Sequence, residues 1–109
     1  MVYFDKDSDD LRTGEKVRLA ETKDKYKTLN NVVIVYLTGN ASTEGGDAYN
    51  MMLSTRRCKA VREHLKSIGM GDAVFMILPY GEEDPLVQKD NTEAKREENR
   101  RVDILILKN

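Results

Sequence analysis

The residues Thr38-Gly39-Asn40-Ala41-Ser42-Thr43-Glu44-Gly45-Gly46 follow an apolar run and lead into a helical pattern that starts near Asp47. In an α/β sheet the crevice beyond a strand's carboxyl end is the usual ligand position. Glycines there let the backbone come close to a ligand, and the N–H groups of the helix's first turn favour an anion. A small carboxylate or phosphate suits such a turn. The same glycines also serve simply to close a strand-to-helix connection, and their spacing matches neither the phosphate loop nor the dinucleotide fingerprint. Within the helix, Asn50 and Arg57 are seven residues apart, so two turns place them on one face with Leu53 and Ser54 between. An arginine on that face can take a carboxylate through two parallel N–H···O bonds, with a neighbouring amide to orient it. A plain surface arginine is the competing reading.

Other chemistry finds little support. Ser54 has no basic partner nearby in sequence that would make it a nucleophile, and Cys58 falls on the apolar stripe of its helix, where inert burial is expected. His64 lies beside that stripe with no Cys or Asp at ligand spacing, as a packing or surface histidine would. The acid pairs Glu82-Glu83 and Glu97-Glu98 are adjacent along the chain and diverge, so they do not form a glycosidase pair. One cysteine and one histidine exclude an internal disulfide and a Cys-rich zinc site. No catalytic constellation, metal site or cofactor site is read from the chain.

Three apolar runs of strand length must position these residues: 32–37, 73–78, and 102–107 interrupted by Asp103. A short fourth strand, Val2-Tyr3-Phe4, precedes the polar turn at 5–10. The spacing predicts a helix over 13–29, with Thr13 as N-cap and Val17, Leu19, Ala20 and Tyr26 as a thin apolar face. A second helix is predicted over 47–67 on Ala48, Met51, Cys58, Val61, Leu65 and Ile68, ended by Gly69. The long helical connection makes the strands at 32–37 and 73–78 parallel neighbours, a βαβ unit. From Gly81 the chain reads as a loop, then a short exposed helix through the charged run 93–101. That run has the composition of a solvated face, with Glu93–Arg96 and Glu97–Arg101 at intrahelical pairing distance.

The chain's 109 residues have room for one domain with a modest core. Its 18 Lys and Arg against 19 Asp and Glu give a net charge of −1, which offers no overall basic surface for nucleic acid. No apolar run reaches bilayer-spanning length, so this domain is not expected to insert in a membrane. No secretion signal is legible in these residues.

Taken together, Val2-Tyr3-Phe4-Asp5 with Ser8, Asp47-Ala48-Tyr49-Asn50 followed by Leu53-Ser54-Thr55-Arg56-Arg57 and Val61, Tyr80-Gly81-Glu82 with Pro85, and Asn99-Arg100-Arg101-Val102-Asp103-Ile104 resemble the OmpA-like C-terminal domain family. The resemblance runs through nearly the whole chain. It implies a two-layer α/β sandwich, β-α-β-α-β-β, with helices packed on one mixed four-stranded sheet. It implies a peptidoglycan-binding module and not an enzyme, with residues 1–109 as one domain of a longer exported envelope protein that lies in the periplasm. The implied ligand is the diaminopimelate stem peptide, whose zwitterionic end presents a carboxylate and an ammonium. By the resemblance Arg57 takes the carboxylate, and Asn50, Arg100, Arg101, Asn40 and Asp5 belong to the same pocket. Family members carry a Gly-His-Thr-Asp-like turn whose Asp takes the ammonium; here the turn is Gly39-Asn40-Ala41-Ser42, and Ser42 is neutral. Losing such a charge-assisted contact costs about 1.5–3 kcal/mol, roughly one to two decades in affinity. Glu44, Asp47 and Asp5 are the acids near enough in sequence to stand in for it. The alternative reading is a fold that has lost wall binding and serves as a protein interaction or assembly module of the envelope.

Overall fold

The computed structural model describes residues 1–26, 32–41, 46–81 and 92–108. The chain runs β1 (Val2–Tyr3), α1 (Thr13–Tyr26), β2 (Val32–Asn40), α2 (Asp47–Leu65), a wide π turn (Lys66–Met70), β3 (Val74–Gly81), α3 (Glu93–Asn99) and β4 (Arg101–Lys108). The sheet order is β1-β4-β2-β3. The β2–β3 pair is parallel and the pairs involving β4 are antiparallel. The four strands and the parallel pair are those that the apolar runs predict, and the sheet is mixed as the resemblance implies. The charged run supplies α3 as an additional short helix, capped by the Thr92 side chain, which accepts from Lys95 N.

Helices cover one face of the sheet. Val35 and Leu37 of β2, Val102 of β4, and Val2 and Phe4 at the first strand face Leu19 of α1 and Cys58, Val61 and Leu65 of α2. All of these are buried. Strand alternation turns the intervening residues outward. Register aligns Tyr36 with Met76 on one side and Leu105 on the other, and Ile34 with Val74 and Leu107. Of these, Val74, Met76, Leu105 and Leu107 are exposed. Continuous apolar runs therefore do not signify burial on both faces here.

Several local expectations shift. Thr13 is the first helical residue, and Arg12 holds the cap position, its carbonyl accepting from Lys16 N at 3.0 Å. On α1, Val17 and Ala20 are exposed, and the inward positions are Glu15 and Leu19, one turn apart. Glu15 is held by Arg18 at 3.1 Å. Residues 27–29 lie outside the described set. On α2, Ala48 is exposed and the buried stripe is instead Asn50, Leu53, Ser54, Arg57, Cys58, Val61 and Leu65. The helix passes from polar burial near its start to apolar burial near its end. The π turn that follows α2 is broken at Gly69, whose φ of 115° lies in the left-handed region that glycine enters freely. The charged run is only partly a solvated face, because Asn99, Arg100 and Arg101 are buried. Its ion pairs also differ from the intrahelical ones: Glu93 pairs with Arg100 at 2.6 Å, and Arg101 lies beyond the helix end, in β4, with Asp103.

Candidate functional site

The parallel strand β2 extends three residues past Leu37, so Gly39 and Asn40 belong to the strand. Gly39 faces α2. A Cβ at this position would meet the Ser54 carbonyl oxygen and stand 2.7 Å from Cys58 Sγ. The glycine therefore brings the strand's carboxyl end against the helix, which is what seats Asn40 beside Arg57. The Cys58 thiol donates to Leu37 O at 3.4 Å, and burial pushes its pKa up to about 12.

Arg57 is 1% exposed, the largest fully buried side chain described. Its Nε donates to Ser8 O at 2.9 Å, Nη1 to Asn40 O at 3.2 Å, and Nη2 to Asp5 O at 3.0 Å. Its guanidinium lies 5.3 Å from the centre of the Phe4 ring, a cation–π distance. Arg57 thus joins the loop after β1 to the carboxyl end of β2 through α2. Its pKa is lowered to about 10, first by burial and then by the charge of Arg100. Tyr49, Asp7 and Asp9 oppose that shift.

The structure brings several of the expected residues together. Asn40, Asn50, Arg57 and Arg100 are all buried. Asn50 and Arg57 occupy one face of α2 as their spacing predicts, and Phe4, beneath Arg57, donates its N–H to Arg100 O at 2.8 Å. Asn40 donates from Nδ2 to Thr38 O at 3.1 Å, and its Oδ1 has no hydrogen-bond partner. A buried acceptor in that state calls for a donor from water or ligand.

Arg101 is placed differently. Its neighbour Val102 faces the core, so Arg101 shares the outer face of β4 with Asp103, whose two carboxylate oxygens each accept from Nε at 3.2 Å. Asp5 contributes its backbone carbonyl to Arg57, while its carboxylate, largely exposed, pairs with Arg12 at 2.7 Å. Ser42 and Glu44 lie outside the described residues, and Asp47 is described only by its backbone, as the first residue of α2.

Asp7 and Tyr49 are not among the expected site residues. The Tyr49 hydroxyl donates to Asp7 Oδ1 at 2.9 Å, and that acceptor raises the phenol's pKa. The polar composition of the turn at 5–10 was visible, but its closure onto α2 was not.

Neither of two described cavities has Arg57 on its walls. One, of about 410 Å³, is lined by Met1, Arg18, Thr22 and Ile104 among others. The other, of about 740 Å³, has Tyr3, Arg12 and the acids Asp5, Glu15, Glu97 and Glu98 on its walls. Among the described residues, no three His, Cys, Asp or Glu side chains converge to hold a metal ion, and no helix is long and apolar enough to cross a membrane.

The structure is thus a one-sided α/β sandwich with a buried arginine and buried amides at the carboxyl end of β2. The chain belongs to the OmpA family, whose model matches residues 3–100. It is 38% identical over 102 residues to the peptidoglycan-associated lipoprotein of Pseudomonas putida, a match that covers 94% of this chain and 60% of that protein. It is 30% identical to the crystal structure of the peptidoglycan-associated lipoprotein from Burkholderia pseudomallei, with a TM-score of 0.87, covering 97% of this chain and 88% of that one. The C-terminal domain of Helicobacter pylori MotB shares the fold at 18% identity, with a TM-score of 0.81, covering 99% of this chain and 83% of that one. The chain spans about 60% of the length of the curated Pseudomonas putida relative.

Proposed function

We propose that this chain is a binding module that attaches a longer envelope protein non-covalently to peptidoglycan in the periplasm. The observation that carries this reading is Arg57, a buried arginine on the helix face that leads from the glycine turn. It sits in a chain that matches proteins named as peptidoglycan-associated lipoproteins over more than nine-tenths of its length. A guanidinium has five N–H donors. Three of them go to backbone carbonyls, which leaves one on each terminal nitrogen, the arrangement a carboxylate takes side by side. Arg57 is the carboxylate clamp for the diaminopimelate end of the stem peptide. Asn50 and Asn40 supply neutral polar contacts, and Arg100 adds positive potential. Arg101 acts on the opposite face of the sheet and supports β4.

The test is co-sedimentation with purified insoluble peptidoglycan, followed by competition with a soluble stem tripeptide that ends in diaminopimelate. The chain should pellet with the wall and be released by the peptide. A folded chain that stays in the supernatant would overturn the proposal and favour an interaction module of the envelope.

A further inference from the structure

A ligand that brings an ammonium next to its carboxylate poses an electrostatic problem at this site. Arg57 and Arg100 are both buried and already repel one another. A third cation beside them needs a counter-charge, because a buried charge without compensation is costly. Several described acids are already engaged with arginines. Asp5 is paired with Arg12, Glu93 with Arg100, Asp103 with Arg101 and Glu15 with Arg18.

Asp7 differs from these in three respects. Its hydrogen-bond partner is the neutral phenol of Tyr49, so its negative charge is not spent on a cation there. It lies between Asp5 and Ser8, whose carbonyls both accept from the Arg57 guanidinium, so the loop that carries it is fastened around that arginine. It also holds φ 56°, the one positive φ among the described non-glycine residues. Such conformations cost an L-residue free energy and gather at ligand sites. Tyr49 stands on α2 one residue before Asn50, so the latch and the clamp share a helix.

We propose that Asp7, latched by Tyr49, supplies the negative charge that pairs with the ammonium of the ligand held by Arg57, in place of the acid absent at Ser42. The acid of the site is thereby moved from the loop before α2 to the loop after β1. This inference rests on the carboxylate-clamp reading above. It makes the preferred ligand a zwitterion, with a free amine beside its carboxylate.

The experiment is calorimetric titration with two stem tripeptides ending in diaminopimelate, one with its distal amine free and one with that amine acetylated. Asp7→Asn is a clean variant, because asparagine tolerates the left-handed conformation as well as aspartate does. It should weaken the free-amine peptide by about tenfold or more and leave the acetylated peptide unchanged. Tyr49→Phe, which keeps the charge and removes the latch, should give a smaller loss confined to the same peptide. An equal loss for both peptides in Asp7→Asn, or no loss for either, overturns the inference. So does a wild type that binds both peptides equally, even while it still pellets with peptidoglycan. A wild type that neither pellets nor binds either peptide overturns the peptidoglycan reading and this inference with it.

Discussion

Replacing Arg57 by alanine removes three charge-assisted hydrogen bonds at once, and their surroundings set the magnitude. Bonds to a charged donor contribute about 1.5–3 kcal/mol each in protected positions. The Asn40 carbonyl, on a fully buried residue, loses its donor with little water to replace it. The Ser8 and Asp5 carbonyls sit in the loop after β1 and rehydrate in part. Against this stands relief of the burial cost that lowers the arginine's own pKa. The cation–π contact with Phe4 and the cavity left behind add to the loss. The balance is a destabilisation of about 2–4 kcal/mol, near the lower part of what breaking a buried charged pair costs. For a domain of this size that lowers Tm by roughly 10–20 °C. Thermal unfolding followed by circular dichroism measures it, with Arg56→Ala as the internal control. Arg56 is the exposed neighbour on the same helix, and its loss should stay within about 0.5 kcal/mol. If Arg57→Ala melts within about 2 °C of wild type, the loop is not held by this side chain and the geometry described here is wrong.

Gly39→Ala should destabilise by about 1–3 kcal/mol or more, because the new methyl meets the α2 backbone at Ser54; urea denaturation reads this as a lower midpoint. The burial of Cys58 makes stability sensitive to alkali. Its folded pKa of about 12 exceeds the ordinary 9.0, so the folded state keeps a proton that the unfolded chain releases. This contribution is fully present below pH 9 and is lost as pH climbs toward 12. Relative to Cys58→Val, wild type should lose about 2 kcal/mol between pH 8 and pH 10.5, measured by denaturation at the two values. The lowered pKa of Arg57 acts in the opposite direction but is common to both proteins. Arg12→Ala should cost less than about 1 kcal/mol, because the Asp5–Arg12 pair is exposed on both sides; a larger shift in Tm would mean that Asp5 organises the loop through its carboxylate.

The strands, the second helix and the parallel crossover were legible because apolar runs of strand length and helical periodicity mark these elements. Arg57 and Asn50 were legible as a pair for the same reason. What Arg57 does to the fold was not, since its three partners are backbone carbonyls, and a carbonyl leaves no mark on residue type. The closure of the first turn onto α2 was not legible, because the contact between Tyr49 and Asp7 spans 42 positions. Arg100 and Arg101 read alike in sequence. Strand alternation separates them, and that depends on where β4 begins. On α1, Val17 looked inward by hydrophobicity, but burial followed the i, i+4 line through Glu15 and Leu19.

The path from β1 to Arg57 also has a mechanical side. The first strand holds the sheet through only two residue pairs, Val2 with Val102 and Tyr3 with Arg101, at the sheet's edge. Immediately beyond it, the three bonds of Arg57 rivet the chain to the central strand and the longest helix. Tension applied at the N-terminal end peels two edge pairs and the bond from Phe4 N to Arg100 O, and then meets the joint at Arg57, so load reaches the middle of the domain before the sheet unravels.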